Sequence, residues 1–149
     1  MKKIKSVLLI ATLFFAGCIY SQNKQSKMDN REVVKTFLNG FNDPSKIQES
    51  LALLAEDYRF TNPMVQLSSK AEFIALSQEM GKVLTGVRII NLVGDEEWIA
   101  AYYEFSSSIP SLEKNYATEW FSIKDGIIKE SILIYDASEW RKVYAQMDN

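Results

Sequence analysis

Two glutamates in the C-terminal part of the chain, Glu119 and Glu130, are the strongest candidates for chemistry. They lie in residues 115–136, where two runs of alternating apolar residues flank Asp125-Gly126, a dipeptide typical of a type I′ hairpin turn. Side chains alternate between the two faces of a strand, so each glutamate is expected on an apolar face. If both faces line one cavity, the two carboxyls could share a proton. The pKa of at least one carboxyl would then rise towards neutrality, which suits an acid or a base.

The alternation also predicts the neighbours of each glutamate. Glu119 is expected to share its face with Ala117, Phe121 and Ile123, and Glu130 with Ile128, Ile132 and Ile134. In the alternative interpretation, one or both glutamates face solvent, because a single β-bulge reverses the alternation. Glutamate is rarely buried, so this alternative stays open.

A second group of side chains is suited to holding a ligand. Asn62, Tyr58 and Tyr103 could supply hydrogen bonds inside a mostly apolar pocket. In the alternative, Asn62 satisfies backbone groups before Pro63, and the tyrosines belong to the core. The predicted ligand-binding residues are Tyr58, Phe60, Asn62, Tyr103, Phe121 and Ile132.

Four aromatic residues are predicted on the opposite face of the sheet. Trp98 and Tyr102 are four residues apart on one predicted strand, and Tyr116 and Trp120 are four residues apart on the next, so each pair lies on one face of its strand. Aromatic enrichment of this kind is typical of protein interfaces. We therefore expect a homodimer that forms through the sheet. Partial cover by the C-terminal helix or by residues 107–113 is the alternative.

Residues 1–21 are typical of an export signal. Three lysines precede Val7–Phe15, an apolar run of nine residues, whereas a membrane-spanning helix needs about 20 residues. The following Phe15-Ala16-Gly17-Cys18 is similar to a bacterial lipobox, in which Cys18 would be lipidated. Cleavage by an ordinary signal peptidase after Ser21 is the alternative. Both predict an exported protein that is periplasmic, secreted or anchored by lipid to the outer face of a membrane.

Composition excludes several classes of function. The chain has no histidine, which removes Ser-His-Asp triads and nearly all zinc sites, and we expect neither a metal nor a cofactor. Without residues 1–21, 14 basic residues remain against 19 acidic ones. A net charge of −5 without a basic stripe argues against a nucleic-acid partner. Cys18 is the only cysteine, so no disulfide is expected.

The rest of the chain predicts one α+β domain. Residues 22–30 are interpreted as a linker and residues 31–146 as the domain. Helices are predicted at 31–41, from Pro44 to about Asp57, from the Ser69 cap to about Val83, and after Asp136; strands are predicted at 58–62, 88–93, 97–108 and in the hairpin. Helices followed by mostly antiparallel strands predict a curved sheet with the N-terminal helices on its inner side, a cone-shaped α+β barrel.

Two segments carry a family resemblance. AEDYRFTNP at 55–63 and KDGIIKESILIYD at 124–136 resemble corresponding segments of the SnoaL-like branch of the nuclear transport factor two-like superfamily. The order of predicted elements agrees with that branch over nearly all of residues 31–144. The resemblance implies a cone-shaped fold, a small-molecule cavity and dimerisation through the sheet.

The catalytic residues of the superfamily's isomerases are missing at the matching positions. Asn62 stands where the isomerases have a catalytic aspartate, and an amide cannot accept a proton at neutral pH. Phe37 stands where they have a hydrogen-bonding tyrosine. We therefore expect the exported domain to bind a small apolar or amphipathic ligand without catalysis. A lyase, isomerase or cyclase that uses Glu119 and Glu130 is the first alternative, and a dimeric protein-interaction module is the second.

Overall fold

The computed structural model describes residues 29–95 and 97–147. The predicted export signal with Cys18, and most of the predicted linker, lie outside these residues. The described chain forms four helices and six strands. They are α1 (Asn30–Asn39), α2 (Ile47–Ala52), β1 (Leu54–Thr61), β2 (Gln66–Leu67), α3 (Lys70–Met80), β3 (Leu84–Gly94), β4 (Trp98–Ser107), β5 (Lys114–Lys124), β6 (Ile127–Tyr135) and α4 (Ser138–Met147).

The helix α1 begins and ends close to the prediction. The Asp29 side chain accepts a hydrogen bond from the backbone N–H of Arg31 at 3.0 Å, which satisfies one of the free donors at the helix N-terminus. A 3₁₀ turn, Gly40–Asn42, follows the helix. The apolar stripe of α1 is buried and consists of Val33, Val34, Phe37 and Leu38.

The predicted second helix is wrong at both ends. Asp43, which precedes the predicted start at Pro44, caps a turn rather than a helix, because its side chain accepts from the backbone N–H of Ser45 at 2.9 Å. The helix α2 begins only at Ile47. The helix ends at Ala52, because the Leu53 carbonyl accepts from the Ile128 N–H at 2.8 Å and Leu54 already pairs with β6. Pairing with a distant strand therefore overrides an apolar spacing that also suits a helix.

The caps of α3 and α4 follow the sequence pattern. The Ser69 hydroxyl accepts from the Glu72 N–H at 3.2 Å, and the Glu72 carboxylate accepts from the Ser68 N–H at 2.7 Å. The Asp136 carboxylate accepts from the Ser138 N–H at 2.9 Å. A reciprocal pair of bonds therefore marks the start of α3, and a single cap bond marks the start of α4.

The six strands form one curved, open sheet in the order β2-β1-β6-β5-β4-β3. Only β1 and β6 are parallel, and the other neighbouring pairs are antiparallel. The predicted α+β class and the mostly antiparallel curved sheet are confirmed, although the sheet does not close into a barrel. The helices α1 and α3 pack on its inner face, where the Phe37 ring lies 5.7 Å from the Phe121 ring.

The hairpin between β5 and β6 has the predicted turn and also a bulge, as the alternative interpretation of the two glutamates supposed. Asp125 and Gly126 have φ values of 54° and 77°, as a type I′ turn requires. Three residues after Gly126 the register shifts at Lys129, because Ser122 pairs with Glu130 whereas Ile123 pairs with Ile128. The extra residue in β6 reverses the alternation from Glu130 onwards.

The described part of the chain, 29–95 and 97–147, has no helix with the length and apolar character needed to cross a membrane.

Candidate functional site

A cavity of about 410 Å³ lies between the helices and the inner face of the sheet. Its wall is mostly aromatic and aliphatic, and Glu119 is the one acidic or basic residue that the described part of the chain contributes to it. Such a cavity has the size and character of small-molecule sites in proteins. The lining residues are Phe37, Leu38, Phe41, Phe60, Asn62, Met64, Val65, Phe73, Leu76, Ser77, Met80, Leu84, Val87, Tyr103, Phe105, Glu119, Leu133, Tyr135, Trp140 and Tyr144.

The helix α4 lies at the edge of this cavity and is held there by three side chains. The Trp140 indole N–H donates to the Asn115 side-chain oxygen at 3.1 Å, and the Arg141 guanidinium donates to the Pro63 carbonyl at 2.9 Å. The Tyr144 hydroxyl donates to the Met80 sulfur at 3.4 Å. These contacts join α4 to β5, to the loop after β1 and to α3, so the C-terminal helix completes the cavity wall.

Glu119 is buried in the cavity wall, with 3% of its surface exposed. The Tyr103 hydroxyl donates to one carboxyl oxygen at 2.7 Å, and the Ser131 hydroxyl donates to the other at 2.6 Å. Tyr103 comes from β4 and Ser131 from β6, the two neighbours of β5. Adjacent strands therefore supply a hydrogen bond to each oxygen of the carboxyl group.

Tyr58 of β1 extends this chain of hydroxyls away from the cavity. Its hydroxyl lies 2.6 Å from the Ser131 hydroxyl, and both side chains are completely buried. Four groups from four neighbouring strands are thus linked in the order Tyr58, Ser131, Glu119 and Tyr103.

Burial raises the pKa of Glu119 from its usual value of 4.5 to about 7. The hydrogen bonds from Ser131 and Tyr103 favour the ionised form and lower the pKa, but they only partly offset the loss of hydration. The pKa values of Tyr103 and Tyr58 are raised well above the usual value by burial, and next by the Glu119 charge. Glu119 is therefore the group in this cavity that can change its charge near neutral pH.

The prediction that Glu119 and Glu130 share one face is wrong. The bulge turns Glu130 to the outer face, where its carboxylate forms an ion pair with the Arg59 guanidinium at 2.6 Å. Ile132, predicted to line the pocket, also points outwards and is 36% exposed. Ser131 and Leu133 occupy the inner face instead. They could have been predicted only if the position of the bulge had been known, and the alternation does not indicate it.

The other predicted ligand-binding residues divide between the cavity wall and the core. Phe60, Asn62 and Tyr103 line the cavity. Tyr58 and Phe121 are fully buried behind the wall. The Asn62 side-chain oxygen accepts from the backbone N–H groups of Met64 at 2.7 Å and Val65 at 2.8 Å. Asn62 therefore shapes the turn around Pro63, as the alternative interpretation anticipated.

The cavity contains several residues that the sequence did not single out. Tyr135 and Leu133 belong to the part of β6 beyond the bulge, and Trp140 and Tyr144 belong to α4. The spacing of Trp140, Val143 and Tyr144 predicted that they would pack against the domain, but not that they would close a cavity. Within residues 29–95 and 97–147, no group of three or more Cys, Asp or Glu side chains could hold a metal ion.

The outer face of the sheet exposes a band of large apolar side chains. Tyr102 and Tyr116 stack with their ring centroids 6.1 Å apart, and Trp120 is 45% exposed on the same face. Ile132 and Ile134 extend the band onto β6, whereas the predicted interface residue Trp98 is half-buried. The Arg59–Glu130 ion pair at 2.6 Å lies towards one side of the band, and the Arg88–Glu104 ion pair at 2.9 Å lies towards the other.

Comparisons with known proteins identify the fold. No protein-family model matches the sequence, and no curated protein matches it. Among solved structures, an epoxide hydrolase similar to LEH from M. tuberculosis has a TM-score of 0.65 at 18% identity, over 78% of this chain and 89% of that one. An NTF2-like protein of unknown function from Cytophaga hutchinsonii has a TM-score of 0.62 at 15% identity, over 77% and 94%.

A third solved structure is a member of the SnoaL-like family from Agrobacterium tumefaciens, with a TM-score of 0.58 at 17% identity over 72% of this chain and 97% of that one. The predicted resemblance to nuclear transport factor two-like proteins is thus confirmed at the level of the fold. Identities this low establish the fold alone, and a fold shared by a hydrolase and a protein of unknown function does not determine an activity.

Proposed function

We propose that this domain binds a small, largely apolar molecule in the cavity between its helices and the inner face of the sheet. The observation that carries the proposal is the cavity itself, about 410 Å³ in volume and lined mainly by aromatic and aliphatic side chains. Burial of apolar ligand surface stabilises a complex by about 25 cal/mol per Å² before the costs of association, so such a wall favours an apolar occupant.

A tryptophan at position 133 tests the proposal. Leu133 lines the cavity, so Leu133→Trp fills part of it, whereas the next residue, Ile134, points outwards and is 56% exposed. We expect the neutral dye N-phenylnaphthylamine to bind the unmodified domain with enhanced fluorescence. Leu133→Trp should weaken binding by about tenfold or more because the indole takes the ligand's place.

Ile134→Trp is the matched control, since it adds the same side chain to the same strand outside the cavity. Its affinity for the dye should equal that of the unmodified domain, and circular dichroism should show both variants folded. Equal dye binding by all three proteins, or no dye binding by the unmodified domain, would contradict the proposal.

Acid–base catalysis by Glu119 is a second candidate function. Its pKa of about 7 and its place in the cavity wall support this candidate, in which Glu119 acts without Glu130. The epoxide hydrolase among the similar structures has the same fold. If the domain catalyses a reaction in this way, Glu119→Gln abolishes turnover while the fold and ligand binding persist. Turnover that survives this substitution would exclude the mechanism.

We also propose that two copies of the domain associate through the outer face of the sheet. The exposed band of Tyr102, Tyr116, Trp120, Ile132 and Ile134 supports this proposal, since large apolar patches on soluble proteins mark interfaces. The band is bordered by the Arg59–Glu130 and Arg88–Glu104 ion pairs. A second copy related by a two-fold axis would therefore present both arginines and glutamates along the border, where they could pair with the opposite charges of the first copy.

Export through the N-terminal signal remains a proposal that rests on residues 1–21, with lipidation of Cys18 and cleavage after Ser21 as alternative outcomes. Fractionation of cells expressing the full chain tests it. A lipid anchor predicts membrane-bound protein that is released by Cys18→Ser, and ordinary cleavage predicts soluble exported protein. Protein that stays in the cytoplasm would contradict both outcomes.

A further inference from the structure

We propose that the cavity selects neutral ligands that carry an acceptor oxygen, and that such a ligand binds together with one proton taken up by the Glu119 hydrogen-bond chain. This inference rests on the proposed function, because it names the ligand class of the same cavity.

When Glu119 is ionised, every hydrogen of the hydrogen-bond chain is used within it. The chain has three links, which join Tyr58 to Ser131, Ser131 to Glu119, and Glu119 to Tyr103. The three hydroxyls supply one hydrogen each, and an ionised carboxylate only accepts. Ser131 and Tyr103 donate to Glu119, so Tyr58 donates to Ser131. Every hydrogen is used, and the ionised chain has none left for a ligand.

Protonation of Glu119 adds a fourth hydrogen to the same three links. One of the four hydrogens, from a hydroxyl or from the carboxyl itself, then has no acceptor within the hydrogen-bond chain. If the Glu119 carboxyl donates to Tyr103, the Tyr103 hydrogen becomes free. If it donates to Ser131, then Ser131 donates to Tyr58 and the Tyr58 hydrogen becomes free. The carboxyl can also direct its own hydrogen away from both partners.

Burial decides where the surplus hydrogen lies. Tyr58 and Ser131 are completely buried and do not line the cavity, so a free hydrogen at Tyr58 would have to find an acceptor within the packed core. Tyr103 and Glu119 both line the cavity. The surplus hydrogen is therefore directed into the cavity, where a carbonyl or ether oxygen of a ligand can accept it.

The remaining wall disfavours anionic ligands. The other titratable groups that face the cavity are Tyr135 from β6 and Tyr144 from α4. α1 and α3 contribute only apolar residues and Ser77, and among residues 29–95 and 97–147 no lysine or arginine lines the cavity. An anionic ligand would be buried without a cation, at a cost of several kcal/mol. A hydrocarbon ligand would leave the surplus hydrogen without an acceptor.

The raised pKa of Glu119, about 7, agrees with this arrangement, since the protonated form of the hydrogen-bond chain is well populated near neutral pH. A cationic ligand would instead favour the ionised chain. It would bind more tightly as the pH rises, which is the opposite pH dependence.

Affinities for two neutral probes of similar shape test the proposal. Acetylnaphthalene carries a ketone oxygen, and isopropylnaphthalene carries none. We expect calorimetry at about pH 6 to show the ketone bound about tenfold more tightly than the hydrocarbon, which corresponds to one net hydrogen bond. At about pH 9 the preference should weaken markedly, because the ionised hydrogen-bond chain offers no donor and only the tyrosine hydroxyls outside it keep a hydrogen. The ratio of the two affinities cancels the apolar contribution that both probes share.

Glu119→Gln provides the control, since a glutamine amide donates at every pH and cannot titrate. In this variant the preference for the ketone should be the same at both pH values. A wild-type preference that does not change with pH, or a preference for naphthoate or for a naphthylmethyl ammonium ion, would overturn the inference and leave the proposed function intact. If neither neutral probe binds, the proposed function fails as well.

Discussion

Glu119 is buried, and no lysine or arginine of the described residues forms an ion pair with it. Its two partners are hydroxyls, and its pKa is raised by burial rather than by another carboxylate. This environment differs from the predicted pair of glutamates, in which the charge of one would have raised the pKa of the other. A single carboxyl with hydroxyl partners exists mainly in two states that differ by one proton, and its charge affects the stability of the fold.

The free energy of unfolding should fall as the pH rises from about 4.5 to about 7 by the amount that Glu119 contributes. In this range the folded state holds the Glu119 proton more tightly than the unfolded state, whose pKa is close to the usual 4.5. One pKa unit corresponds to about 1.4 kcal/mol, so the free energy of unfolding should fall by up to about 3 kcal/mol. Above about pH 7 the Glu119 titration should change it no further. Urea unfolding at several pH values measures it.

Glu119→Gln isolates this contribution from that of the other carboxyls. The variant lacks the titration, so its stability relative to the unmodified domain should increase from about pH 5 to about pH 8. Parallel stability profiles of the two proteins would show that Glu119 has the same pKa in the folded and unfolded states.

At the level of elements, β6 shows how far the sequence could predict the site. The Asp125-Gly126 turn, the strand that contains Glu119 and the inward position of Tyr103 all follow from turn chemistry and alternation, and all are present. The bulge near Lys129 leaves no local signal, because isoleucines precede and follow it and either face could be apolar. Glu130 and Ile132 were therefore assigned to the wrong face, whereas Ser131 was overlooked.

The helices show a related limit. The caps of α3 and α4 were predicted because a side chain and a backbone group close in sequence form each cap. The end of α2 was not predicted, because a partner more than 70 residues away along the chain determines it. Local chemistry thus accounts for the helices and the turn. Long-range pairing accounts for the remaining boundaries and for the site's four-strand hydrogen-bond chain.

At the scale of the whole molecule, the outer face predicts the oligomeric state. We expect Trp120→Ala to weaken self-association by about tenfold or more, because large aromatic residues at the centre of an interface contribute most of its binding energy. Sedimentation equilibrium at micromolar concentrations measures the effect.

Tyr144→Ala is a suitable control for this experiment. Tyr144 is 38% exposed, similar to Trp120, but it lies on α4 rather than on the band. This variant should associate as the unmodified domain does. An unmodified domain that is monomeric at these concentrations, or a dimer that is insensitive to Trp120→Ala, would contradict the proposed interface.

The parallel pairing of β1 with β6 has a consequence for the order of events during synthesis. β1 has only two neighbours, the two-residue β2 and the last strand of the sheet, and Arg59 reaches its partner Glu130 across 71 positions of the chain. Closing so long a loop is slow, and a ribosome-bound chain that still lacks residues 127–135 cannot close it at all. β1 therefore joins the rest of the sheet only after residues 127–135 have been synthesised. A chain that has to pass through a secretion channel before it folds would gain time from this delay.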